Sequence, residues 1–94
     1  MIIAWLETAT DTRKEQLEHI AKENPIAAVE QGERIISQVE QLSTYPELGR
    51  AGRKQGTREL VISRTSFVVI YRVKPKAKRI EILRVLHSSQ QWPL

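Results

Sequence analysis

Four basic side chains, Arg50, Arg53, Lys54 and Arg58, crowd a stretch punctuated by Gly49, Gly52 and Gly56, and Glu59 is the first acid after them. Glycine lets backbone approach a ligand, and guanidinium grips phosphate or carboxylate through two parallel hydrogen bonds. The stretch therefore has the chemistry of an anion site, for nucleic acid or for an acidic protein. It is no Walker loop: GRAGRKQGT lacks the G-x-x-x-x-G-K-[ST] spacing, and the residues after it read as a strand, not a helix whose N-terminus receives phosphate. Arg64, Arg72 and Arg84 continue the basic series, and His87 stands three residues after Arg84. An imidazole among arginines can serve metal-free RNA cleavage, His87 protonating the leaving oxygen while the arginines stabilise the phosphorane. No second base accompanies it, and the simpler role for His87 is to hydrogen-bond at a strand end and hold the tail. His19, flanked by Glu15, Glu18 and Glu23, reads as exposed. No ligand spacing for a metal is present, and neither metal nor cofactor is expected.

Tyr45, Tyr71, Trp5 and Trp92 are the residues able to stack on bases, but they are scattered, not interleaved with the basic segments, so a single-strand stacking platform is not expected. Trp92 has two readings: folded back to close the core, or projecting as an interface anchor.

The charge that surrounds these residues is segregated. Residues 1 to 49 hold four Lys/Arg and nine Asp/Glu, a net −5, whereas residues 50 to 94 hold eleven and two, a net +9. Such asymmetry makes a directional field suited to an acidic protein partner or to phosphate; a solvated basic surface kept for solubility is the plainer reading. Ninety-four residues with 40% hydrophobic content fit one domain, 1–94, near the lower size limit for a self-sufficient core. The chain has no cysteine, which fits a reducing cytoplasm. MIIAWLETA has no basic n-region, and no run of about 18 apolar residues occurs, so neither export nor membrane insertion is expected.

The elements that must position the basic residues follow from periodicity. Ile2, Ile3, Trp5 and Leu6 form a strand within 1–7. Thr8 with Asp11 fits a capping box, opening a helical hairpin over 8–42 whose first helix, to about Glu23, has a thin stripe: Ala9, Leu17, Ile20 and Ala21. Asn24-Pro25 starts the second helix, with Asn as cap and Pro at the first helical position. In it Gly32 shares a face with Ala28 and Ile36 and permits close helix approach. Pro46 closes the hairpin region. From Thr57 the period becomes two, predicting three antiparallel strands at 57–64, 66–73 and 79–87, the middle one central, and an irregular tail at 88–94. The sum is an α+β domain: N-terminal strand, helical hairpin, then three-stranded antiparallel sheet.

Five blocks in order, Asn24-Pro25-x-Ala27-Ala28, Tyr45-Pro46-x-Leu48-Gly49-Arg50, Gly56-Thr57-Arg58-Glu59-Leu60, Tyr71-Arg72-Val73 and Ile82-Leu83-Arg84-Val85-Leu86-His87, resemble the ParE/RelE superfamily of small bacterial toxins. The resemblance spans nearly the whole chain and departs in the first helix, where relatives carry apolar residues near Arg13 and Gln16. It implies a RelE/ParE-like fold and a toxin of a type II toxin–antitoxin system, in a setting of plasmid maintenance or stress response, held in a hetero-oligomer by a cognate acidic antitoxin. RelE-like members cut messenger RNA on the ribosome; ParE-like members poison DNA gyrase. The positions where the nucleases place two lysines and an arginine fall at about Glu59, Val61 and Val68, and none of these stabilises a phosphorane. The resemblance is therefore closer to ParE, implying a gyrase inhibitor and no catalytic residue. Arg50, Arg53, Arg58, Arg64 and Arg72 are the expected antitoxin contacts, and His87 and Trp92 the expected target contacts. The alternative is a metal-independent endoribonuclease using Arg64, Arg84 and His87 on the ribosome and its message. A third class is a basic, non-toxic regulatory protein.

Overall fold

A computed structural model of the chain describes residues 1–92, so the last two residues of the 88–94 tail lie outside the described residues. The elements are β1 (Ile2–Trp5), α1 (Glu7–Ala21), α2 (Pro25–Glu40), a 3-10 turn (Gln41–Ser43), β2 (Arg50–Ala51), β3 (Arg58–Val61), β4 (Phe67–Lys74) and β5 (Arg79–His87). They form one mixed sheet in the order β1-β5-β4-β3-β2, with β1 parallel to β5 and the other pairs antiparallel. The sheet thus has five strands, not three. The N-terminal strand joins its edge, and β2 adds a two-residue ribbon that carries no apolar alternation to announce it. The α+β class, the helical hairpin and the central place of β4 are as the sequence predicts.

The helix starts divide. Asn24 caps α2 as expected, its Oδ1 accepting from the Ala27 N–H at 3.0 Å with Pro25 at the first position. The Thr8/Asp11 capping box does not form: α1 begins at Glu7, with Leu6 as an N-cap that offers no side-chain oxygen. The reason is the sheet. The Leu6 N–H donates to Ile82 O, so the chain is held on β5 up to Leu6 and turns directly into helix, placing Thr8 already within the first turn.

The hairpin covers one sheet face. Ile35, Val39 and Leu42 from the helical segment meet Leu60, Ile62, Phe67, Val69, Tyr71, Ile80, Ile82 and Val85 in a continuous buried cluster. Only Ala9 is fully buried from α1. Its polar residues are nevertheless used: the Arg13 guanidinium lies 4.4 Å from the Trp5 ring centroid, and Gln16 Nε2 donates to Gln90 Oε1 at 2.8 Å. Beyond Ile82 β5 has no β1 partner, and Thr12 Oγ1 accepts there from the Val85 N–H at 2.9 Å. The two helices approach closely because Gly32 faces Leu17, whose Cδ1 would lie 3.2 Å from a Cβ at that position. The shorter observed β3 also has a cause. Past Val61, Gln38 stands in for a neighbouring strand, accepting from the Ser63 N–H at 2.8 Å and donating to Ser63 O.

Candidate functional site

Alternation along the strands sorts the remaining side chains onto the face away from the hairpin. Cross-strand pairs place Glu59 beside Ile70, Val61 beside Val68, Arg84 beside Ile70, Leu86 beside Val68 and Glu81 beside Arg72. Val68, Ile70 and Leu86 form a second, smaller buried cluster, joined by Leu83 and Trp92. Trp92 has therefore folded back onto the sheet, as the first of its two readings expects. The Arg84 guanidinium lies 5.3 Å and the Lys54 ammonium 5.9 Å from its ring centroid.

Glu59, Val61 and Val68, the positions at which the resemblance expects the nucleases' cations, share this face. Glu59 is buried, Val68 is buried and Val61 is exposed. Glu59 is clasped: Arg50 Nη2 donates to Oε1 at 3.1 Å, and both the Arg53 Nε, at 3.0 Å, and the Arg53 backbone N–H, at 2.8 Å, donate to Oε2. Burial alone would raise the pKa of this carboxyl, but the Arg53 side chain and backbone, with Arg50, outweigh it and hold the group below the ordinary carboxylate value. A second clasp repeats the arrangement. Arg72 Nε and Arg79 Nη2 donate to the two oxygens of Glu81 at 2.6 and 2.7 Å, and the Arg72 hydrogen bond leads in lowering its pKa.

The glycine-punctuated stretch is a ribbon, not a ligand cradle. Arg50 and Ala51 pair with Glu59 and Arg58, and the Gly52 N–H donates to Thr57 O at 2.8 Å. What approaches Gly49 and Gly52 is the protein itself, while Gly56 supplies a left-handed turn, φ 82°. A Cβ at Gly49 would lie 2.7 Å from Tyr71 Cε1, and one at Gly52 would meet Thr57 Oγ1 and lie 2.8 Å from Thr57 O. The Tyr71 hydroxyl accepts from the Gly49 N–H at 2.9 Å and donates to Pro46 O at 2.7 Å, fixing the loop; burial raises its pKa.

Of the five arginines expected to meet a partner, four have internal partners. Arg50 and Arg53 hold Glu59, Arg72 holds Glu81, and Arg58 Nη1 donates to Gly49 O at 2.8 Å. The side chains of Arg50, Arg53 and Arg72 remain 62%, 42% and 41% exposed, so each keeps donors available to a ligand. Arg64 sits in the β3–β4 turn with a left-handed backbone, φ 63°, and makes no ion pair among the described residues. The trio Arg64, Arg84 and His87 does not converge. His87 pairs with Phe67 on the hairpin side, its ring edge-on to the Phe67 ring at 6.3 Å between centroids, whereas Arg84 pairs with Ile70 on the other face. His87 Nδ1 accepts from the Ser89 N–H at 3.2 Å and lies 2.7 Å from Ser89 Oγ, so the ring is engaged by the tail.

Glu59 and Glu81 as anchors of paired arginines were not foreseen. The signal was present, since they are the only acids after residue 49. No group of three or more His, Cys, Asp or Glu residues able to hold a metal occurs among the described residues, and no described helix is long and apolar enough to cross a membrane.

With this geometry in place, the comparisons with known proteins fall together. The model of the family described as "ParE toxin of type II toxin-antitoxin system, parDE" matches residues 3–92. A Sinorhizobium fredii protein named "Putative toxin Y4kP" is 38% identical over 91 residues, covering 97% of this chain and 92% of that protein. Among solved structures, a chain of the chromosomal ParDE system of P. aeruginosa superposes with a TM-score of 0.84 at 28% identity, over 93% of this chain and 95% of the other. A chain of the RelBE2 toxin–antitoxin complex of Mycobacterium tuberculosis gives a TM-score of 0.56 at 23% identity, over 92% and 95%, a likeness of fold alone.

Proposed function

The chain belongs to the ParE family of type II toxin–antitoxin toxins, and from that premise we infer that it acts in the cytoplasm by binding DNA gyrase and is neutralised by a cognate acidic antitoxin. The observation that carries this reading is the composition of the open face. Where cutting RNA needs cations on the central strands, Glu59, Val61 and Val68 present a clasped carboxylate and two aliphatic side chains. A phosphorane gains nothing from valine, and a carboxylate, already taken up by Arg50 and Arg53, offers it no donor. The separation of Arg84 from His87 onto opposite faces favours the same reading, since general acid and charge stabiliser must reach one phosphate.

The antitoxin partnership draws on the half-exposed arginines. Arg50, Arg53, Arg58, Arg64 and Arg72 offer donors to partner carboxylates, and loss of one fully desolvated pair costs about 2 to 5 kcal/mol, rim pairs far less. His87 and Trp92 are the proposed target contacts.

Gyrase supercoiling tests the proposal. Purified toxin added to gyrase, relaxed plasmid and ATP should inhibit supercoiling, and addition of the acidic protein encoded beside it should restore the activity. Undiminished supercoiling at toxin in excess over gyrase overturns the target. A preparation that arrests translation through codon-spaced cuts supports the endoribonuclease reading instead.

A further inference from the structure

The end of the sheet near the Lys54–Gly56 turn opens into a cleft of about 410 Å³ that the arginine clasps do not fill. Lys54, Arg72, Lys74 and Arg84 line it together with Leu83 and Trp92, and no carboxylate does. Lys54, Lys74 and Arg84 make no ion pair among the described residues, while Arg72 spends its Nε on Glu81 and keeps its terminal nitrogens. The indole Nε1 of Trp92 is withdrawn from solvent without an acceptor among the described residues. With four cations, an unanswered N–H donor and only the neutral oxygens of Thr8, Gln55 and Thr57 among its side-chain acceptors, the cleft carries an excess of donors that an anionic ligand would answer.

We propose that this cleft binds an acidic peptide segment of a protein partner, one or two carboxylates held by Lys54, Lys74 and Arg84 beside an aliphatic side chain seated against Leu83. A nucleic acid fits less well. Its bases need a free aromatic face, yet Trp92 has cations over its ring and packs against the cluster of Val68, Ile70 and Leu86. Leu83 in the lining favours an aliphatic neighbour, and the volume admits a residue or two of extended peptide. The proposal rests on the reading that an acidic antitoxin neutralises the toxin; it moves Trp92 from the target contacts to the antitoxin contacts and adds Arg84 to them.

Trp92 reports on its own cleft once Trp5→Phe leaves it the single tryptophan. The full chain carrying that change is titrated with a short peptide alternating glutamate and leucine, with its glutamine counterpart, and with an oligothymidylate of equal length. The glutamate peptide should shift Trp92 emission, bind about tenfold or more tightly than the glutamine peptide, and lose about tenfold in affinity in Lys54→Gln/Arg84→Gln. Circular dichroism checks that this variant folds; should it not, Lys74→Gln, at an exposed position, serves with the same expected direction. Equal binding of the two peptides, preference for the oligonucleotide, or variants that bind like the parent would overturn the proposal. Antitoxin neutralisation that survives while the peptide fails to bind removes the cleft alone. A bound peptide with no neutralising antitoxin removes the partnership and leaves the cleft standing.

Discussion

Glu59 shows how one residue can change what a basic stretch does. Without it, Arg50 and Arg53 would be mobile cations on a loop; with it, each guanidinium is held at a fixed place, Arg53 through Nε and Arg50 through Nη2, and keeps its remaining donors for a partner. Glu59→Gln should lower stability by about 1 to 2 kcal/mol, since the arginines left behind are half exposed and can be hydrated, and thermal unfolding followed by circular dichroism measures it. The pH dependence has a definite sign. Glu59 and Glu81 have folded-state pKa values lowered from the ordinary 4.5, so their contribution is present above that value and is lost as pH falls through the folded pKa. Stability should therefore drop below about pH 4.5 in the parent, and less steeply in Glu59→Gln/Glu81→Gln. Tyr71 is a second single-residue test. Tyr71→Phe leaves the buried Gly49 N–H without its acceptor and should cost about 1 to 3 kcal/mol in the same unfolding experiment.

At the scale of elements, what could be read in advance was whatever local chemistry decides. Asn24-Pro25 starts α2 because the cap and the proline act on their own turn, and Asn24→Ala should cost about 1 kcal/mol of stability by denaturant unfolding. Period-two alternation placed β5 to the residue, because its apolar side chains face a covered surface. The failures are places where distant contacts override local ones. Thr8 and Asp11 have the right types for a cap, but Leu6 is fixed to Ile82 across the sheet and α1 starts before them. The Arg50–Ala51 strand is defined only by its pairing with Arg58 and Glu59. Of the candidate site, the basic residues were legible as a set, whereas their pairing with Glu59 and Glu81 needed the register of β2 with β3 and of β4 with β5. Arg13 and Gln16 looked misplaced on α1 until Trp5 and Gln90 appeared beside them.

For the whole molecule, the division of charge along the chain becomes a division between layers. The half with net −5 supplies both helices, and the half with net +9 supplies four of the five strands. A partner with acidic segments is thus drawn to the sheet side and repelled from the hairpin side. Its association with this toxin should weaken as salt rises from about 0.05 to 0.5 M, chiefly through a slower on-rate, which surface plasmon resonance or stopped-flow fluorescence can follow.

The activity proposed for this molecule is to occupy another protein and not to cut RNA. Primer extension on a message translated by purified ribosomes, with and without the toxin, tests it most directly. Transcripts should stay intact in a preparation that inhibits gyrase supercoiling. Codon-spaced cleavage that disappears in His87→Ala would contradict it.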